Sequence, residues 1–136
     1  MCLNRALSRE EIQKTTSKDL SQKTIIAWKI VYKGTRRAMY RRFSAPYVKG
    51  TTVKRNPQSP LRICARRGRS YECGIHSFLT RSSARRFLKI SPFRENYEII
   101  KVEVKQSSIL AWGFDGGLVM EKRLPTIVSK ACKVLT

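Results

Sequence analysis

The feature that most constrains this chain is the lopsided placement of its positive charge. The formal net charge is +20 over 136 residues, and the stretch from Lys29 to Lys89 alone carries +16, with 17 Lys or Arg against one acid, Glu72. The segment before it holds five basic and three acidic residues, and the segment after it seven and five. A block this one-sided repels itself as the chain compacts. Polyanions or acidic protein surfaces can relieve that repulsion, and the arginines between Trp28 and Ile90 are expected to converge on one side of the fold to meet them.

The block still belongs to a folded domain. Apolar residues make up 41% of the chain and aromatics 9%, and they interleave with the basic residues. A disordered basic tail would gather Lys, Ser, Pro and Gly instead. The length suits one domain with a modest core. No apolar run approaches the roughly 18–20 residues of a membrane span, and no secretory signal follows Met1-Cys2-Leu3-Asn4-Arg5. A reducing compartment is thus expected, which favours thiols over disulfides at Cys2, Cys64, Cys73 and Cys132 while leaving one bridge open.

Local patterns predict an α+β domain. Ser8-Arg9-Glu10-Glu11 fits a capping box opening a short helix near residues 9–20, and residues 1–24 read as an N-terminal helix or arm on a domain spanning 25–136. Ile25 to Tyr32 is rich in β-branched and aromatic residues and ends at Gly34, the clearest strand of the chain. Ala38 to Phe43 would return as a hairpin across Lys33-Gly34-Thr35-Arg36. Short extended pieces are expected at Tyr47-Val48, Thr51 to Val53 and Leu61 to Ala65. Thr80 sits where an N-cap belongs, Ala84, Phe87 and Leu88 follow at helical spacing, and Pro92 closes the segment. Tyr97 to Val104 alternates as a strand with one apolar face. Ile109 to Phe114 and Leu118 to Leu124 bracket the turn Asp115-Gly116-Gly117, and Ile127 to Leu135 reads as a last strand or a short helix. Helix, strands, helix, strands in that order suggest a largely antiparallel sheet with one or two packed helices.

Few constellations carry chemistry. His76, the one histidine, adjoins Cys73 and Glu72 and could serve as a base beside a nucleophile, although a lone histidine at a strand end is more often a structural hydrogen-bonding group. The spacing of Cys64, Cys73, His76 and Cys132 does not match the paired ligands of a zinc knuckle, so no metal or cofactor is expected. Gly113 to Gly117 lacks the Lys-Ser or Lys-Thr of a phosphate-cradling loop. Glu103 and Glu121 could pair across a sheet as glycosidase carboxylates do, or simply balance the lysines and arginine beside them.

The basic block is the stronger signal. Its candidate contacts for nucleic acid or an acidic partner are Arg36, Arg37, Arg41, Arg42, Lys54, Arg55, Arg66, Arg67, Arg69, Arg81, Arg85 and Arg86, interspersed with Tyr40, Phe43, Tyr47 and Tyr71. Arginine predominates, and its planar fork suits phosphate and carboxylate. The plain alternative is a solvated basic face with no partner.

The run Gly74-Ile75-His76-Ser77-Phe78-Leu79-Thr80, with Ala84 and Phe87 after it, resembles a small domain of unknown function found in large DNA viruses and phages, which carries a Gly-Ile-His-Phe-Phe-Leu-Thr type signature. Gly74, Ile75, His76, Phe78, Leu79 and Thr80 carry the likeness, and Arg81, Arg85 and Arg86 stand where such domains commonly have acidic residues. The resemblance implies viral origin. Together with the charge it points to a non-enzymatic virion-associated or minor capsid protein, bound to acidic capsid protein or packaged nucleic acid. A nucleic-acid-binding accessory protein free of the virion, in host cytoplasm or nucleus, is the nearest alternative. A small nucleotide-acting enzyme centred on His76 and Cys73 is a more distant one, and an inhibitor of a host nucleic-acid enzyme is disfavoured because such inhibitors are usually acidic.

Overall fold

The structure, a computed structural model, describes residues 3, 5–39, 45–55, 63–64, 71–115 and 124–136, with the backbone alone described at 63–64. In chain order its elements are β1 (Arg5–Leu7), α1 (Arg9–Thr15), β2 (Thr24–Tyr32), β3 (Thr52–Lys54), β4 (Ile63–Cys64), β5 (Tyr71–Glu72), β6 (Ile75–Phe78), α2 (Arg81–Ile90), β7 (Tyr97–Lys105), β8 (Ile109–Asp115), β9 (Leu124–Ser129) and β10 (Ala131–Val134). Eight strands form one antiparallel sheet in the order β1-β8-β9-β6-β2-β7-β10-β3, and β4 pairs with β5 apart from it. The architecture is α+β.

The long central pair explains the pattern of the strongest apolar run. All nine residues of β2 pair with β7, from Thr24 opposite Lys105 to Tyr32 opposite Tyr97. Successive side chains alternate between faces, so Ile25, Ala27 and Val31 enter the larger core cluster, while Trp28, Ile30 and Tyr32 join the cluster beneath α2. Burial on both faces is why β2 reads as a continuous apolar run.

The N-terminal segment builds into the same body. β1 pairs with β8, and Ser8 and Glu11 form the reciprocal capping box: the Glu11 N–H donates to Ser8 Oγ and the Ser8 N–H to a Glu11 carboxylate oxygen. The helix ends at Thr15, short of residue 20, and its one buried side chain, Ile12, lies in the main core together with Leu20.

Other segments differ in detail from the sequence patterns. The return arm after Gly34 is a single bridge, Val31 opposite Ala38, with the Tyr32 N–H donating to the Arg37 carbonyl. Residues 40–43 of the expected strand lie outside the described residues, as do 116–123, which hold the Gly116-Gly117 turn and most of the Leu118 to Leu124 strand. The tail is two strands, β9 and β10, on either side of exposed Lys130. β9 is buried along its whole length because it fills the interior position between β8 and β6.

One correction concerns the cysteines. Cys73 is disulfide-bonded rather than a thiol. Pairing is set by the approach of two side chains in space, which an argument from compartment does not capture. Cys132 is a free thiol buried in the main core, and burial, opposed by the Lys29 charge, pushes its pKa up to about 11.

Candidate basic interface

α2 is built to present cations. Thr80 caps its start in extended conformation and accepts a hydrogen bond from the Ser83 N–H at 3.1 Å, and the Ser91 N–H closes its end on the Leu88 carbonyl. Ser83, Ala84 and Phe87 turn inward, where Phe87 packs on Phe78 with ring centroids 5.3 Å apart. At 100° per residue the opposite arc takes Arg81, Ser82, Arg85, Arg86, Lys89 and Ile90, and all six are exposed. No acid lies in the first turn, and among the described residues no ion pair involves this helix.

Arg81 occupies the positive end of the helix dipole, which disfavours a cation. Its guanidinium lies over the Trp28 ring, 5.7 Å from the centroid, and Lys101 Nζ approaches the same ring at 5.8 Å. These contacts offset part of the dipole penalty. Lys18 joins from the α1–β2 connection, donating to the carbonyls of Ile26 at 2.7 Å and Leu79 at 2.5 Å. Burial, and then the Lys101 charge, draw its pKa below the usual lysine value. Lys18, together with Thr16, Ser17, Thr80, Ser82 and Arg86, lines a cleft of about 540 Å³ at the start of α2. Charge runs do not mark Trp28, Lys18 and Lys101, because the folded chain gathers them from three separate segments.

Two other described members of the basic block, Arg36 and Arg55, are engaged within the fold instead. Arg36, in the turn after β2, donates to the Tyr47 carbonyl at 2.7 Å, to Glu98 at 3.3 Å and to the Thr136 carbonyl. Arg55 meets Glu72 at 2.8 Å and the Cys73 carbonyl at 3.3 Å. Both guanidiniums cross-link the fold. Lys54 is exposed on the edge strand β3, and Arg37 is exposed beside a cleft of about 730 Å³ lined with Tyr32, Lys33, Thr35, Pro46, Glu95 and Asn96. Arg41, Arg42, Arg66, Arg67 and Arg69 lie outside the described residues.

Phe93, an isolated aromatic after Pro92, carries no periodic signal in the sequence. It is 70% exposed and holds φ 56°, ψ 34°. A non-glycine residue in this left-handed region costs about 1–2 kcal/mol. The Asn96 N–H on the Phe93 carbonyl and the Arg94 guanidinium on the Lys89 carbonyl hold the turn.

The signature residues are interior. A Cβ on Gly74 would lie 2.5 Å from the Ser129 carbonyl oxygen, so only glycine lets β6 approach β9 this closely. Ile75 and Leu79 enter the main core, Phe78 the cluster under α2, and Thr80 caps the helix. His76 is 8% exposed, lies 3.2 Å by Nδ1 from the Gly74 carbonyl, and stands edge-on to Tyr71 at 6.5 Å. Beside it a cavity of about 30 Å³, bordered by Lys29, Asp115 and Thr126, has room for about one water. Cys73, in a disulfide, is not itself a thiolate beside His76. Among the described residues no three His, Cys, Asp or Glu side chains form a metal-sized group. Glu103 is half-buried on β7 opposite Lys133, and Glu121 lies outside the described residues. No described helix is long and apolar enough to cross a membrane.

Compared with known proteins, the chain matches no family model, no curated protein and no solved structure.

Proposed function

We propose that this is a non-enzymatic, virion-associated basic protein, a single small α+β domain that docks acidic matter (packaged nucleic acid or acidic capsid surface) through α2. The observation that carries the reading is the outward arc of that helix: Arg81, Arg85, Arg86 and Lys89 exposed on about 15 Å of rigid scaffold, with no carboxylate paired to any of them among the described residues. Unneutralised cations on a fixed frame favour association with polyanions, because binding releases counterions and relieves the self-repulsion of the block. Viral origin comes from the Gly74 to Thr80 resemblance. An accessory protein acting outside the particle would use the same face.

The test is a salt titration of binding to a short nucleic-acid duplex. Four neutralised phosphates give a log–log slope near −3.6, at about −0.9 per contact. Replacing Arg81, Arg85, Arg86 and Lys89 by Gln should flatten that slope and leave the fold intact. Failure of the purified protein to bind duplex, single strand and acidic capsid protein at low salt would overturn the reading. Co-purification with virus particles, and release by nuclease, separate genome from capsid as the partner.

A further inference from the structure

We infer that the polyanion is single-stranded nucleic acid, with Phe93 stacking on one of its bases at the end of the α2 track. The inference rests on the polyanion reading above and names its substrate class.

Phe93 combines two costs that folding alone does not repay. Its backbone sits in the left-handed region where glycine or asparagine would be easier, and its ring is 70% exposed. Backbone strain held in place by its surroundings clusters at contact sites, and here the residue so held is an aromatic turned to solvent. The position is fixed from both sides, by the Arg94 guanidinium on the last turn of α2 and by the Asn96 N–H on the Phe93 carbonyl.

The surroundings select the partner. Lys89, at the end of the arginine-bearing arc, and Arg94, the next residue in the chain after Phe93, are exposed. Asn96 in turn accepts from the Lys33 N–H and lines the 730 Å³ cleft, where Lys33 and Arg37 adjoin Tyr32, and Glu95 is the one carboxylate of the lining. Tyr32 itself is backed by Tyr97, with centroids 4.7 Å apart. An aromatic face between cations matches a strand that offers a base for the ring and phosphates for the cations. A protein partner would gain little from a lone ring, since stable interfaces bury about 800 Å² per side. A duplex keeps its bases stacked away from it.

The experiment compares a labelled 12-residue single strand, its duplex and polyglutamate of equal charge by fluorescence anisotropy, using wild type, Phe93→Ala, Phe93→Trp and Phe93→Gly. Phe93→Ala should weaken single-strand binding about tenfold or more, leaving duplex affinity and the salt slope unchanged, and Phe93→Trp should retain affinity. Phe93→Gly should melt higher than Phe93→Ala, because glycine relieves the turn, yet bind the single strand no better. If Phe93→Ala matches wild type on the single strand while the α2 charge variant loses polymer binding, the stacking role is wrong and the polyanion reading stands. If wild type binds none of the three polymers, both fall.

Discussion

β6 and α2 are adjacent in the chain and opposite in character. From Gly74 to Leu79 every residue is buried, on and beside a strand flanked by β9 and β2, whereas from Arg81 onward the helix exposes four cations around a narrow apolar seam. Thr80 is the junction, closing the strand and capping the helix. The more recognisable motif is thus explained by packing: glycine for backbone approach, isoleucine, phenylalanine and leucine for two core clusters, threonine for the cap. The less specific feature, plain positive charge, is the one left facing outward. Motif specificity and surface availability reside in different residues here, even where they touch in sequence.

The largest test of this contrast is Gly74→Ala. A Cβ 2.5 Å from a backbone oxygen forces β6 and β9 apart, so the variant should lose about 3 kcal/mol or more, seen as a collapsed denaturant midpoint or insoluble expression. The helix should behave in the reverse way. Gln at Arg81, Arg85, Arg86 and Lys89 together should lower polyanion affinity about a hundredfold at low salt, with stability within about 0.5 kcal/mol of wild type by urea melts. A stability loss comparable to that of Gly74→Ala would erase the distinction.

Arg36 sharpens it from inside the basic block. Arg36→Met strands Glu98 and two carbonyls and should cost about 2 kcal/mol in urea unfolding, with little change in polyanion affinity. The smallest effect concerns Cys132. Its native pKa, about 11 against an ordinary 9.0, means the unfolded chain releases this proton first as pH rises. The stabilising contribution is therefore complete below pH 9 and is lost as pH climbs toward 11. At pH 8.5 the native thiol should alkylate far more slowly than the urea-unfolded one, read by mass spectrometry.

Much of the frame was legible because its signals are local. The capping box at Ser8, the N-cap at Thr80, the alternation of β7 and the doubly apolar β2 each reflect a short-range preference that tertiary packing reinforces. β1, at three residues, is too short to show a period, and its strand identity comes from β8. The tail, ambiguous between strand and helix, was settled by the slots beside β8, β6 and β7. The candidate interface was legible in part. Arg81, Arg85 and Arg86 followed from helical spacing, while the engagement of Arg36 and Arg55 depends on carboxylates 62 and 17 positions away. The Trp28 cluster with Lys18 and Lys101 depends on strand register, which no local pattern encodes.

The strand order has a consequence for synthesis. β9 joins β8 to β6, and β10 joins β7 to β3, so residues 124–134 are the keystones of a sheet whose other members are made earlier. A nascent chain on the ribosome must hold its arginine-rich middle without these closing strands until translation has passed them. The sheet closes only once these strands are available, by long-range pairing, the slow regime of folding.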